Sequence, residues 1–345
     1  MAEKSELVAK SRLINEMSIK HRLVEFFTKW EVLLVIIITL VFVFFTFRTP
    51  YFLDWFNLMN ATFQFSEKAI MALPMIFIIM CGDIDISIAS IIALCAYVVG
   101  TAAEGGASIP TLILLSLLVG TAAGLFNGLM ITTLNMPAIA VTLATQSIFR
   151  GISIGLLGDQ ARTSFPKDFG FFGQNFISGT IIPFEFVLYL VLMLVFSFIL
   201  HKTTYGRHLY AIGNSPEAAR FSGVNVKFVR VLNFTLTGMF CGLTAILLAS
   251  RILSVRSNIA TGWDLEIITL VVLGGVAITG GRGTVFGVFI GSLLVGYLKF
   301  GMGLLKFSGT LMTIVIGSLL IIAVLLPRLL DLYKANRKLK LQAQR

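Results

Sequence analysis

The chain has 345 residues, of which 57% are hydrophobic and 13% charged, and its mean hydropathy is +0.92. Soluble domains contain about 45–50% apolar and about 25% charged residues, so this composition excludes a soluble domain and indicates several membrane crossings. The net charge of +10 does not indicate nucleic-acid binding, because the lysines and arginines gather beside apolar segments. The three cysteines lie in apolar segments at unrelated spacings, which indicates neither a disulfide framework nor a zinc site.

Ten apolar segments are of a length that suits a bilayer core of about 30 Å. In chain order they cover 32–47, two short spans within 67–101, 109–134, 138–157, 183–200, 231–250, 263–279, 284–300 and 307–326. Six, five and six Lys and Arg residues lie in 1–30, 202–230 and 328–345, and basic segments of this kind stay on the cytoplasmic side. We therefore predict an all-α polytopic membrane protein with about ten transmembrane helices, some of them broken, and with both termini cytoplasmic.

The predicted organisation has three parts. Residues 1–30 form a cytoplasmic amphipathic arm, 31–330 a transmembrane domain that contains the cytoplasmic loop 202–230, and 331–345 a basic cytoplasmic tail. No cleavable signal peptide is expected, because the first 29 residues are polar and the apolar run after them is too long.

The first helix break is the sequence Gly-Asp-Ile-Asp-Ile-Ser at 82–87. An ionised carboxylate at the bilayer centre costs about 2.5–3.5 kcal/mol, so Asp83 and Asp85 must face a cavity, pair with a cation or lie near a surface. One interpretation is a proton or cation relay. The other, which we favour, is structural: Asp85 and Ser87 cap a helix that begins at Ile88.

The second break contains Gly274 and Gly275, followed by a Gly-Gly-Arg-Gly run that includes Gly281. Glycines permit close backbone approach and helix termination. The segment is either a broken helix beside a substrate path, as transporters use, or a tight turn. Both interpretations remain open from the residues alone.

The polar segment 203–230 lies between long apolar spans. Ser215 and Pro216 are typical of the N-cap and first residue of a short helix, with Glu217 in its first turn and Gly223 near its C-terminal end. This helix is either an amphipathic connector on the membrane surface or a docking helix for a soluble partner.

Small and polar residues inside the spans predict further packing. Gly120, Ala122, Ala123, Gly124 and Gly128 suit close contact between helices. Arg150 is either the partner of an acid or a residue that extends to an interface. Asp264 and Glu266 open a span at its N-terminal end, where acids are favourable.

The sequence indicates no catalytic residues, metal site or cofactor. It lacks the phosphate-loop pattern G-x-x-x-x-G-K-[ST], the H-E-x-x-H zinc motif and the G-x-S-x-G nucleophile motif. The three histidines, His21, His201 and His208, do not cluster. A transporter of this sequence that needs ATP must therefore use an ATPase on another chain.

Four stretches together resemble the permease subunits of ribose/galactoside/autoinducer-2-type ABC importers. They are GDIDISIAS at 82–90, GRHLYAIGNSPEAARFSGVNV at 206–226, the glycine-rich segment 262–283 and the small-residue span 287–303. The resemblance covers about 30–330. The chain departs from the family pattern at Asp83 and Ala89, where glycine is common, and at Trp263 and Asp264, where tyrosine and glutamate are usual.

The resemblance implies a permease domain, over 31–330, that imports a monosaccharide or sugar-like molecule across the bacterial plasma membrane. It implies ATP-binding subunits, an extracytoplasmic sugar-binding protein and a second, identical or paralogous, permease as partners. It also gives the short helix a role as the ATPase-coupling element. The contact residues implied are Pro216, Glu217, Ala218, Ala219, Arg220 and Gly223.

Two other functions remain open from the residues. One is an ion-coupled secondary transporter that uses Asp83 and Asp85. The other is a membrane scaffold without transport, in which uninterrupted helices could replace the broken spans.

Overall fold

The computed structural model describes residues 30–325. The arm predicted over 1–30, apart from Trp30, and the tail predicted over 331–345 lie outside these residues. Within 30–325 the secondary structure is helical, with isolated bridges and no strand. The helices are α1 Trp30–Arg48, α2 Trp55–Ala61, α3 Phe63–Met80, α4 Ile88–Glu104, α5 Ile109–Thr133, α6 Ala138–Leu157, α7 Phe171–Gln174, α8 Phe184–Lys202, α9 Thr204–Asn214, α10 Pro216–Phe221, α11 Val226–Ile252, α12 Trp263–Leu273, α13 Val285–Leu304 and α14 Gly309–Leu325.

Seven helices are long and apolar enough to cross a membrane: α1, α3, α5, α6, α8, α11 and α13. The other three predicted spans coincide with the shorter helices α4, α12 and α14, of which α12 has only 11 residues. The all-α, multi-pass prediction is therefore confirmed, whereas the number of crossings beyond seven remains a prediction.

Helix α3 forms the centre of the molecule. Every one of its residues except Gln64 is buried. It packs against α8, α9, α11, α12 and α13, which explains why its sequence is apolar all round rather than amphipathic. Pro74 lies inside it, where the missing N–H removes one helical hydrogen bond. One member of each of the two buried acid–base groups described below lies on this helix, so the helix determines where these groups form.

Helices α5 and α11 form the most extensive helix pair, through small residues. A methyl group on Gly120 or Gly124 would collide with the backbone of α11 at Gly238. The Ser116 hydroxyl, on α5, donates a 2.8 Å hydrogen bond to the carbonyl oxygen of Gly242. The predicted close packing of this span is thus confirmed, except at Ala122, which is exposed.

Helix α12 ends earlier than the predicted span 263–279. It stops at Leu273, and Gly274 packs directly on the backbone of Val288 in α13. Gly275 adopts a left-handed conformation with φ +88° beside the Trp30 ring, and Trp30 Nε1 donates a 2.7 Å hydrogen bond to the Leu273 carbonyl oxygen. The indole thus satisfies a carbonyl that the helix end leaves free.

Candidate functional site

The first helix break is closed by a buried hydrogen-bond cluster. Asp85 is fully buried, and its Oδ1 accepts from the backbone N–H of Ser87 at 2.8 Å and from the Ser87 hydroxyl at 2.6 Å. Asn127, from α5, donates to the same hydroxyl at 2.9 Å. Helix α4 begins at Ile88, directly after this cluster. Asp85 thus accepts the backbone and hydroxyl donors of Ser87 at the break, but the Ser87 side chain itself does not cap the helix, contrary to the prediction.

Asp83 lies at the edge of a cavity of about 300 Å³, which Asn135, Lys227 and Arg230 also line. Asp83 Oδ2 is 2.9 Å from Arg230 Nε, but the N–H does not point at the oxygen, so the contact is an ion pair without hydrogen-bond geometry. The break is therefore tied electrostatically to the start of α11.

The two helix breaks and the end of α9 meet at one point, which we call the glycine junction: Met80, Gly82, Gly213, Gly280 and Gly281. The Gly281 N–H donates a 3.0 Å hydrogen bond to the Met80 carbonyl oxygen. Gly213 lies so close to both that a methyl group there would collide with the Met80 oxygen and the Gly281 nitrogen. Gly280 and Gly281 have φ +85° and +75°, which other residues rarely adopt. Three stretches far apart in sequence thus contact one another through backbone.

Polar side chains surround this junction. The Tyr210 hydroxyl, on α9, donates to the Gly283 carbonyl oxygen at 2.8 Å. The Tyr205 hydroxyl donates to Asn233 Oδ1 at 2.6 Å, and Asn233 Nδ2 donates to the Phe77 carbonyl oxygen at 3.3 Å. Helix α9 is therefore held by hydrogen bonds to α11 and to the second break, and α11 to the end of α3.

Helix α10 follows α9 directly. The Ser215 hydroxyl accepts from the Ala218 N–H at 3.2 Å, and Pro216 is the first helical residue, as predicted. The helix has six residues and is followed by Gly223 at φ +86°. It is thus a short element that begins three residues after Gly213 of the glycine junction.

The exposed face of α10 differs in part from the predicted contact set. Pro216, Glu217, Ala218, Arg220 and Gly223 are exposed. Ala219 is 4% exposed, so its methyl group anchors the helix to the rest of the chain and does not belong to the outer face.

Sequence reasoning missed Phe221, the last residue of α10, whose side chain is 92% exposed. Phe228, at the start of α11, is 61% exposed. The sequence did contain a signal for this exposed contact, because Phe221 is a large apolar residue in the polar segment 203–230.

Two polar residues of α6, Arg150 and Gln146, lie outside both breaks and bond to other parts of the chain. Arg150, on α6, donates to the carbonyl oxygens of Ser257, Ile259 and Ala89 at 2.9 to 3.1 Å. All three bonds are to carbonyl oxygens, and the predicted acid partner is represented by a charge interaction with Asp264 that involves no direct ion pair. Gln146 donates to Asp264 Oδ2 at 3.2 Å.

Two buried acid–base groups lie at the other end of α3. Arg251 forms a bidentate pair with Glu67, at 2.7 and 3.0 Å. Lys68 and Lys299 both contact Glu266, at 3.0 and 2.9 Å. Sequence reasoning did not predict these pairs, because their members are far apart in the chain. The described residues contain no cluster of His, Cys, Asp or Glu that could hold a metal ion, and all three cysteines are free and buried.

Comparison with known proteins identifies the family. The model of the family described as branched-chain amino acid transport system / permease component matches residues 57–324. The chain belongs to this family. The matched region contains both breaks, the glycine junction and α10, so the motifs described above belong to the permease component itself. No solved structure matches the chain.

Two relatives of this permease component carry more specific names. The ribose import permease protein RbsC of Bacillus subtilis (strain 168) is 35% identical over 282 residues, which cover 81% of this chain and 87% of the relative. The autoinducer 2 import system permease protein LsrD of Escherichia coli (strain K12) is 35% identical over 301 residues, 86% of this chain and 91% of the relative. The family membership supports a permease function over the ion-coupled carrier.

Proposed function

We propose that this permease component imports a monosaccharide or sugar-like molecule in an ATP-driven, binding-protein-dependent system. The observation that carries the proposal is the connection of the exposed helix α10 to both helix breaks through the glycine junction. The names of the relatives, a ribose and an autoinducer 2 import permease, support the substrate class.

The proposed topology has ten crossings, with α10 and both termini on the cytoplasmic side of the bacterial plasma membrane. The short helices α4, α12 and α14 complete the seven longer spans. Helix α12 suits a crossing despite its 11 residues, because a segment of turns after it continues from Leu273 to the glycine junction. The basic residues of 202–230 favour this orientation.

In the proposed mechanism an ATPase subunit binds the outer face of α10 through Glu217, Arg220 and Phe221. Closure of the ATPases moves α10, and Ser215 transmits the displacement to α9. Because Gly213 touches Met80 and Gly281 without intervening side chains, α9 cannot move without displacing both breaks. Asp83, Asp85, Ser87, Gly274, Gly275 and Gly281 then act as positions where the spans reorient rather than as a substrate site.

The complete transporter contains a second permease, identical or paralogous, an extracytoplasmic binding protein and two ATP-binding subunits. Affinity purification of the chain from its native membrane in mild detergent, followed by mass spectrometry, tests this composition. A stoichiometric partner with a phosphate-loop ATPase sequence is the expected result. A chain that purifies alone and carries flux in liposomes without ATP would contradict the proposal.

A further inference from the structure

A cavity of about 550 Å³ lies at the end of the molecule opposite α10. It is an open cavity lined by the first turns of α3, the last turns of α11 and the segment that joins α11 to α12. Helix α11 has 27 residues and spans about 40 Å, so its length separates the cavity from α10. Small-molecule sites occupy about 300–1,000 Å³, and this cavity has a suitable size.

The charged groups that line the cavity are all positive. They are Lys68, Arg251 and Arg256, and no carboxylate is among the lining residues. Gln64, the one residue of α3 that is not buried, and Asn258 add neutral hydrogen-bonding groups. This wall suits a ligand that offers several hydroxyl groups and a negative charge.

Two of the three lining cations are held in place by carboxylates that do not line the cavity. Arg251 Nε and Nη2 bind the fully buried Glu67 at 2.7 and 3.0 Å. Lys68 Nζ is 3.0 Å from both carboxylate oxygens of Glu266 and 4.8 Å from the centre of the Trp263 ring. Donors fixed in this way need little reorganisation when a ligand binds.

The ion pairs leave an excess of positive charge around the cavity. Glu266 is shared by Lys68 and Lys299, and Glu67 serves Arg251 alone. Arg256 is exposed, and its guanidinium forms neither a hydrogen bond nor an ion pair with any residue in 30–325. Near the cavity there are therefore four cations but only two paired carboxylates. If the buried Glu185 near Glu67 and the neighbouring charges Asp264 and Arg150 are also counted, five cations stand against four carboxylates, so the balance remains positive.

We propose that this cavity binds a small polyhydroxylated anion, with Arg256 contacting the negative group and Gln64 and Asn258 contacting hydroxyls. The inference rests on the proposed function for its biological meaning: on that topology the cavity opens to the outside, and it defines an anionic, sugar-like substrate class. The binding itself depends only on the geometry of this chain.

The test is calorimetric titration of the purified full chain in phosphatidylcholine nanodiscs, with D-gluconate and D-glucitol as probes. These two polyols have the same carbon skeleton and differ in a carboxylate against a hydroxymethyl group. Gluconate should bind at least about tenfold more tightly, as one charge-assisted contact predicts. Equal binding of the two polyols, or no binding of gluconate at millimolar concentration, would overturn the proposal.

Two variants locate the site. Arg256→Gln should weaken gluconate binding about tenfold, and Asn258→Asp should weaken it through like-charge repulsion. Both positions are exposed, so folding should be retained. Lys227→Gln removes an exposed cation at the opposite end and should leave binding unchanged. If Arg256→Gln binds gluconate as the unaltered chain does, the site is wrongly assigned.

The glycerol headgroup of phosphatidylglycerol is also a polyhydroxylated anion. Repeating the titration in nanodiscs that contain this lipid distinguishes the two sources. Undiminished gluconate binding supports a soluble ligand, whereas its abolition overturns the substrate assignment in favour of a lipid. A negative result leaves the importer function intact, because co-purification of the ATPase tests that function separately.

Discussion

Asp83 and Arg230 join the first helix break to the beginning of α11, with 2.9 Å between Oδ2 and Nε. The Asp83 side chain is 8% exposed and that of Arg230 29%. Arg230 follows α9 and α10 in sequence. The pair therefore connects the first break to the chain just after these two helices. The acid that departs from the family pattern thus has a cation as its partner.

We expect the pair to stabilise the protein modestly without being required for transport. Asp83→Asn and Arg230→Gln should each lower the free energy of unfolding in detergent by about 1 kcal/mol, since one partner is partly exposed. The double variant should lose less than the sum of the two. Uptake should continue in Asp83→Gly, and complete loss of a pH-dependent flux in that variant would support ion coupling instead.

The glycine junction makes a steric prediction. Gly213→Ala places a methyl group against backbone atoms of Met80 and Gly281, which cannot move independently of the two breaks. We expect the rate of ATP-dependent uptake to fall at least about tenfold. This change corresponds to about 1.4 kcal/mol of free energy. Uptake assays in whole cells, normalised to the amount of permease in the membrane, measure this.

Gly155→Ala is the matched control for the junction. Gly155 is also a helical glycine, but an added methyl group there has no neighbour within 4 Å. This variant should transport normally, with helix stability raised by about 0.5–1 kcal/mol. Equal uptake by the two variants would show that contact at Gly213 is not required.

The exposed Phe221 predicts an anchor for the ATPase. Truncation of a central aromatic residue in an interface costs about 2 kcal/mol or more, so Phe221→Ala should weaken ATPase binding at least tenfold. Replacing Glu217 and Arg220 together should uncouple ATP hydrolysis from uptake while the protein stays in the membrane. Phe198→Ala, at a 63% exposed phenylalanine of α8, is the control and should bind the ATPase normally.

Glu185 provides a contrast with Glu67. Both are fully buried, but neither carboxylate oxygen of Glu185 has a hydrogen-bond partner within the described part of the chain, whereas Glu67 binds Arg251. Glu185→Gln should therefore leave the free energy of unfolding unchanged or raise it, because a buried unpaired charge is costly.

Glu67→Gln should destabilise the protein by about 3–5 kcal/mol, since it leaves Arg251 partly buried without its carboxylate. Denaturant unfolding of both variants in the same detergent measures the difference. Similar losses in the two variants would show that Glu185 also has a stabilising partner.

Most helix positions and the Ser215 cap followed from the sequence because they depend on local chemistry, whereas the predicted Ser87 cap did not form. The span predicted at 138–157 coincides with α6, and Ser215 and Pro216 begin α10 as their side chains favour. The end of α12 was placed too late. The helix stops at the Gly274-Gly275 pair, where Gly275 adopts φ +88° and Val276 N–H bonds back to the Val271 carbonyl oxygen, and packing on α13 and Trp30 fixes this end.

The sequence by itself determined that this chain is a multi-pass helical membrane protein with two broken spans and a short capped helix between basic residues. Hydropathy and capping act over a few residues, so they can be read without a fold. Only the tertiary structure decided that Gly213 meets both breaks, that Arg230 pairs with Asp83 and that Arg251 pairs with Glu67, 184 residues away. Such contacts depend on how helices pack around α3, and no local pattern specifies which distant charge or backbone atom a residue will reach.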